Sequence, residues 1–299
     1  MLNLCVADHL FGLGMTTMCR TVPLPRNYRP FLADDSERTP LFGLLMDREV
    51  RARLDSPSVE FDYDLQAGDC TLRIYPDEYR LTIRSGGESS TVVCPFAEKG
   101  ATAEFYSDIF CGEHRVPSVM LDHMLVFAFS FASLPYDTLL IHSSTVVKEG
   151  RAVMCLGESG TGKSTHTGLW LENVADAELL NDDGPVVRVF DDGTVRVFGS
   201  PWSGKTPCYK QASYPIAAFL RLRQAPENRI QRLNTVSAFG ALLPSTLPTL
   251  QKEERTLDLI CGALSKILTT TLTYMMDCLP DGEAARISYE TIFAFSGYR

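Results

Sequence analysis

The sequence predicts a mixed α/β (α+β) fold in two parts: a β-rich N-terminal domain over 1–116 and a second domain over 117–299 in which strands and helices mingle around one glycine-rich turn. Three observations carry this. Short runs of alternating polarity fill 61–94, hairpin signals stand on both sides of the glycine-rich turn, and an uninterrupted apolar run at about 118–134 reads as a helix linking the two parts. At 299 residues and 45% apolar composition, the chain has enough side-chain volume to fill real cores.

In order along the chain, segment 20–36 is rich in proline and polar residues and reads as an irregular connection. TLRIY at 71–75 and YRLTIR at 79–84 are strands, separated by Pro76-Asp77-Glu78 and followed by the turn Ser85-Gly86-Gly87-Glu88. SVMLDHMLVFAFSFASL has no turn residue. Its apolar stretch at 124–134 is too short for a bilayer and reads as a buried helix. TLLIHSSTVV at 138–147 and RAVMCLG at 151–157 flank Lys148-Glu149-Gly150, which predicts a hairpin. The glycine turn and a helix at 164–171 follow. PVVRVF and TVRVF then flank Asp191-Asp192-Gly193, a second hairpin signal. A strand at 216–222, helices at 235–243 and 253–268, a strand at 272–278 and a last helix at 282–293 complete the chain.

Bulk charge excludes some classes. With 28 basic against 37 acidic residues the net charge is −9, which argues against general affinity for nucleic acid or anionic membrane. Nine scattered cysteines without metal-ligand spacing suit reduced thiols, and the N-terminus lacks the pattern of a signal peptide. Both point to a cytoplasmic protein without a membrane partner, and a homo-oligomer is compatible with everything above.

The chemistry is concentrated in GESGTGKS, Gly157-Glu158-Ser159-Gly160-Thr161-Gly162-Lys163-Ser164, which fits G-x-x-x-x-G-K-[ST] between a strand and a helix. Glycines let backbone N–H groups turn inward around phosphate oxygens, Lys163 reaches the β and γ phosphates, and the Ser164 hydroxyl can sit on Mg²⁺. The helix N-terminus, including Thr165, adds its positive end. ATP and Mg²⁺ are therefore the expected cofactors. ELLNDDGP at 178–185 places an acidic pair, Asp182 and Asp183, nineteen residues beyond Lys163. One carboxylate would serve the metal and the other proton transfer. Three further features stay open on the residues alone. His142 is a core or a site histidine, GSPWSGK at 199–205 is a solvated turn or a closing loop, and Arg221 and Arg223 are surface charges or anion ligands.

Two hairpins around the loop, in place of repeated strand and helix crossovers, predict a mixed and largely antiparallel sheet. In that setting IHSS, GESGTGKST and LLNDDGP resemble the nucleotide-binding core of HPr kinase/phosphorylase and the phosphoenolpyruvate carboxykinases. The resemblance runs over about 138–222 and is closest to HPr-kinase-related proteins. It implies that Lys163 binds the β and γ phosphates, Ser164 the Mg²⁺, that Asp183 is near or on the metal, that Asp182 takes the proton from the accepting hydroxyl, and that His142 is in the active site. Thr165 stands where HPr kinases usually have Glu, and their C-terminal signature is absent, which argues against HPr as substrate. The chain is far shorter than a carboxykinase and lacks recognisable substrate-binding arginine segments. The expected activity is an ATP-dependent kinase acting on a protein serine or a small-molecule hydroxyl, with the reverse phosphorylase reaction open to the same residues. The alternative is a nucleotide-binding switch without turnover.

Overall fold

The computed structural model describes residues 1–16, 22–34, 38–65, 68–111, 118–204 and 206–294. The boundary expected at 116/117 lies outside the described residues, as do parts of the 20–36 connection and Lys205. The chain forms two compact units, Met1–Pro135 with Thr249–Thr256, and Tyr136–Pro248 with Leu257–Arg299.

In the first unit β1 (Leu2–Val6), β2 (His9–Gly14), β3 (Phe42–Leu45), β4 (Val59–Leu65), β5 (Gly68–Ile74), β6 (Glu78–Ser85), β7 (Glu88–Pro95) and β8 (Ala103–Ser107) form one eight-stranded sheet in the order β1-β2-β3-β8-β7-β6-β5-β4. The hairpin between β6 and β7 turns on Gly86 and Gly87, at φ 62° and 86°, the left-handed pair that a two-residue turn requires. Helix α1 (Ser118–Ser133) packs on this sheet and goes with the first unit. Its aromatic residues explain why: Phe131 lies 4.8 Å from the Tyr79 ring and 5.4 Å from Phe96, and Phe129 lies 5.8 Å from Phe11. By length and composition alone, the helical stretch Ser118–Tyr136 is long and apolar enough to cross a bilayer, which the shorter apolar run in the sequence did not suggest. Of its apolar 18-residue window 61% is buried within the protein.

In the second unit the strands are β9 (Thr138–Leu140), β10 (Ser143–Lys148), β11 (Arg151–Leu156), β12 (Glu178–Asp183), β13 (Val186–Val189), β14 (Val195–Phe198), β15 (Ser213–Gln224), β16 (Arg229–Arg232) and β17 (Leu272–Cys278). The helices are α2 (Lys163–Asn173), α3 (Thr235–Leu242), α4 (Glu254–Thr270), whose first turn belongs to the first unit, and α5 (Gly282–Ala294). The sheet runs β12-β10-β11-β15-β14-β13-β9, with β17 beside β15 and β16 beside β17. The β11–β15 and β15–β17 pairs are parallel and the rest antiparallel, so the sheet is mixed.

The hairpin between β10 and β11 closes one residue tighter than the sequence predicts. Lys148 pairs with Arg151, leaving Glu149 and Gly150 as the turn at φ 52° and 71°. The single strand expected at 138–147 is broken at His142. Leu139 pairs into β13 whereas Ser143 pairs into β11 and β12, so the chain changes partners there. The His142 N–H donates to Ser245 O at 2.7 Å.

Helix α2 buries Lys163, His166, Thr167 and Trp170, the i, i+3, i+4, i+7 face. Three of those four are polar, so a single large residue anchors the helix. Trp170 is fully buried, its ring edge-on to Tyr289 at 5.8 Å, and its indole N–H donates to Ser288 Oγ at 2.9 Å.

Candidate functional site

Strand β10 lies between β11 and β12 and runs antiparallel to both. Its beginning therefore meets the ends of the other two, and three motifs far apart in sequence converge there. Ser143 stands opposite Leu156 on one side and Asp183 on the other, and Ser144 stands opposite Asp182.

Segment 157–162 joins β11 to α2. Gly160 and Gly162 hold φ at 80° and 103°, a left-handed backbone that strongly favours glycine. Ser159, Gly160, Ser164 and Thr165 are exposed, Thr161 and Gly162 half-buried, and Gly157 buried. A side chain at Gly157 would meet that of Thr161 at 3.0 Å. Thr161 folds the loop on itself, its hydroxyl donating to Glu158 O at 2.6 Å.

Lys163 is 9% exposed, and its Nζ donates to Gly157 O at 2.9 Å, to Glu158 O at 3.2 Å and to His142 Nε2 at 2.8 Å. None of these partners is a carboxylate. Burial holds its pKa below the usual lysine value, against the opposing pull of Asp183 and Asp182. With Nε2 accepting from the ammonium, the imidazole proton sits on Nδ1, which lies 2.9 Å from Asp183 Oδ1. The resulting relay, Asp183 to His142 to Lys163, is half-open to solvent at its first two members, whose side chains are 49% and 44% exposed.

Asp182 is only 3% exposed. Burial alone would raise its pKa, but hydrogen bonds from the Ser144 and Ser164 hydroxyls and from Thr206 outweigh burial and hold it below the usual carboxylate range. The Thr206 N–H lies 3.3 Å from Oδ2. Two adjacent carboxylates thus have unlike surroundings, one buried beside Ser164 and one open beside His142.

Sequence reasoning did not single out Ser144, Thr206 or Asn181. Asn181, fully buried, stands directly before the acidic pair and accepts from Gly184 N–H at 3.0 Å. The Asn-Asp-Asp-Gly run was the available signal for this turn. Of the features left open, His142 joins the site and Arg223 is tied to Asp277 at 2.5 and 2.7 Å. Arg221 lines a cavity of about 500 Å³ on the β15 side of the loop, with Glu158 to Thr161, Gln224 and Met275. It lies 4.0 Å from the Glu158 carboxylate and donates to Ala241 O at 3.3 Å.

No family model and no curated protein matches the chain. Among solved structures, the HPr(Ser) kinase/phosphatase from Coxiella burnetii matches at 10% identity with a TM-score of 0.29, over 52% of this chain and 95% of that one. A likeness at that level carries no argument about activity, and the chemistry must be read from the site itself.

The donor set suits a hard divalent cation. The Ser164 hydroxyl is among the groups that hold the Asp182 pKa down, and both offer oxygen. Among the described residues no group of three or more His, Cys, Asp and Glu side chains forms a metal cage. A cation here would complete its shell with phosphate oxygens and water, the habit of Mg²⁺.

Proposed function

We propose that the second unit binds Mg-ATP at the glycine loop and transfers the γ-phosphoryl group to a hydroxyl, on a protein serine or a small molecule. The observation that carries this reading is Lys163. It is a buried cation in a glycine loop, bonded only to neutral groups and flanked by two carboxylates in unlike surroundings.

Mg²⁺ when bound neutralises charge on the phosphate oxygens. Lys163 leaves its carbonyls for the β and γ phosphates, where its charge stabilises the transferring group in a partly desolvated site. Residues 157–165, among them Gly157, Ser159, Gly160, Thr161, Gly162 and Thr165, supply the backbone cradle at the start of α2. Ser164 and Asp182 hold the metal side. Asp183, oriented by the Nδ1–H of His142, faces the acceptor and takes the hydroxyl proton. This division reverses the order implied by the family resemblance, on the ground that the Ser164 hydroxyl is among the groups holding the Asp182 pKa down while His142 bonds Asp183. A protein using cytosolic ATP would be cytoplasmic.

The test is incubation of the full chain with γ-labelled ATP, Mg²⁺ and cell extract. Label on a discrete acceptor is the expected result. ATP bound without any turnover would favour the switch reading, and label only in free phosphate would overturn transfer to an alcohol.

A further inference from the structure

Behind the acidic pair lies a polar clamp that the proposed chemistry does not use directly. Ser200 is fully buried, and its hydroxyl donates to Gly184 O at 2.6 Å and accepts from Trp202 N–H at 3.1 Å. The Asn181 amide donates to Ser200 O and Oγ, both at 3.3 Å, while its carbonyl accepts from Gly184. One side-chain pair thus ties both ends of the Asp182–Asp183 turn to the segment 199–204.

The packing along that seam leaves no room for adjustment. A side chain at Gly204 would come within 2.7 Å of Asp182 O and 3.2 Å of Asp183 Cβ, and one at Gly184 would meet Trp202 at 3.2 Å. The Gly204 N–H donates to Asp182 O at 2.5 Å, and Asp183 forms a bridge with Ser203. Asp183 holds φ at 155°, a conformation that side-chain-bearing residues rarely adopt and keep only when their surroundings impose it. Asn181 and Ser200 both hold Gly184, the next residue, beside the pairings of Asp183 itself with Ser143 and Ser203.

Building on the Mg-ATP reading, we propose that Asn181 and Ser200 are positioning residues: they lock the Asp182–Asp183 turn to the 199–204 segment and so set the metal-side geometry shared by Asp182 and Ser164. Neither touches substrate. Their effect reaches the metal through the carboxylate that they aim, as groups behind metal ligands do.

Calorimetric titration of ATP into the full chain, with and without Mg²⁺, tests this. The wild type should bind ATP more tightly with Mg²⁺. Ser200→Ala should keep its Mg²⁺-free affinity and lose roughly tenfold or more of the Mg²⁺ enhancement, the range seen when groups behind metal ligands are removed. Ser288→Ala deletes an equally buried hydroxyl away from the turn and should lower the melting temperature without touching the Mg²⁺ enhancement. If Ser200→Ala does not fold, Asn181→Asp, which keeps the acceptor for Gly184 but loses the amide donors, carries the same expectation. A full Mg²⁺ enhancement in the folded variant would overturn the clamp alone. Absence of ATP binding by the wild type would overturn the Mg-ATP reading, and the clamp's role with it.

Discussion

Two clusters of charge, one in each unit, show opposite ways of handling the same side chains. In the first unit Arg53 meets Asp55 and Asp77, each at 2.7 Å, and Glu78 at 3.1 Å, while Arg80 meets Glu78 at 2.6 Å. The Arg53 guanidinium also stacks over Tyr75 at 4.4 Å. Its pKa is held above the usual arginine value by the hydrogen bonds it donates to Asp55, Asp77 and Glu78. Every charge there is answered by its opposite. Around the glycine loop, Lys163 is answered by carbonyls and an imidazole, and Asp182 by hydroxyls and Thr206. Neutral partners satisfy hydrogen bonds without cancelling charge, so this second cluster keeps a field to offer a ligand. The first is a compensated ion network, and the second leaves open the charge that the proposed site would use.

The comparison breaks most visibly at Lys163. Lys163→Ala should reduce phosphoryl transfer by about 10²–10³-fold, the cost of removing one group aimed at developing charge. Transfer of γ-label at saturating ATP checks it. Support for the helix that carries Lys163 comes next: Trp170→Ala should cost about 3–5 kcal/mol in chemical denaturation, because a fully buried ring leaves a cavity.

Acid sensitivity sharpens the contrast. Burial pushes His166 down to about 4, so the folded chain keeps the imidazole neutral where the unfolded chain protonates it. The folded pKa is depressed, so stability is intact above the unfolded value near 6.5 and falls by up to about 3 kcal/mol as pH drops to about 4. Asp182 is also depressed, and its contribution is lost only at lower pH, as pH falls from its unfolded value through its folded one. Denaturation midpoints of wild type and His166→Gln from pH 7 down to about pH 2 separate the two, since the variant should lose the limb above about pH 4 and keep the one below it.

The smallest effect is expected in the first cluster. Arg53→Ala should leave ATP binding unchanged and lower the melting temperature slightly at low salt, with the difference shrinking as salt screens the network.

Much of this contrast was legible in the sequence and some was not. Glu149-Gly150 and Gly86-Gly87 announce their turns because left-handed backbone restricts residue choice. The glycine loop announces itself for the same reason, with Gly160 and Gly162 at φ 80° and 103°, and the Asn-Asp-Asp-Gly run announces the turn that carries Asp182 and Asp183. Local patterns cannot show partner choice. The break at His142 depends on Leu139 and Ser143 pairing with different strands, and α1 joins the first sheet because of where Tyr79, Phe96 and Phe105 stand. The roles of Asn181 and Ser200 were hidden for the same reason, since nineteen residues separate two side chains that meet in the core.

The central claim is that the charge around Lys163 is left open for Mg-ATP. Calorimetry of ATP binding in Mg²⁺, on wild type, Lys163→Ala and Arg53→Ala side by side, tests it most directly. The account predicts binding by wild type and Arg53→Ala alike and a loss of roughly tenfold or more in Lys163→Ala, in line with removal of a desolvated charge partner. Equal binding by all three, or none by the wild type, would contradict it.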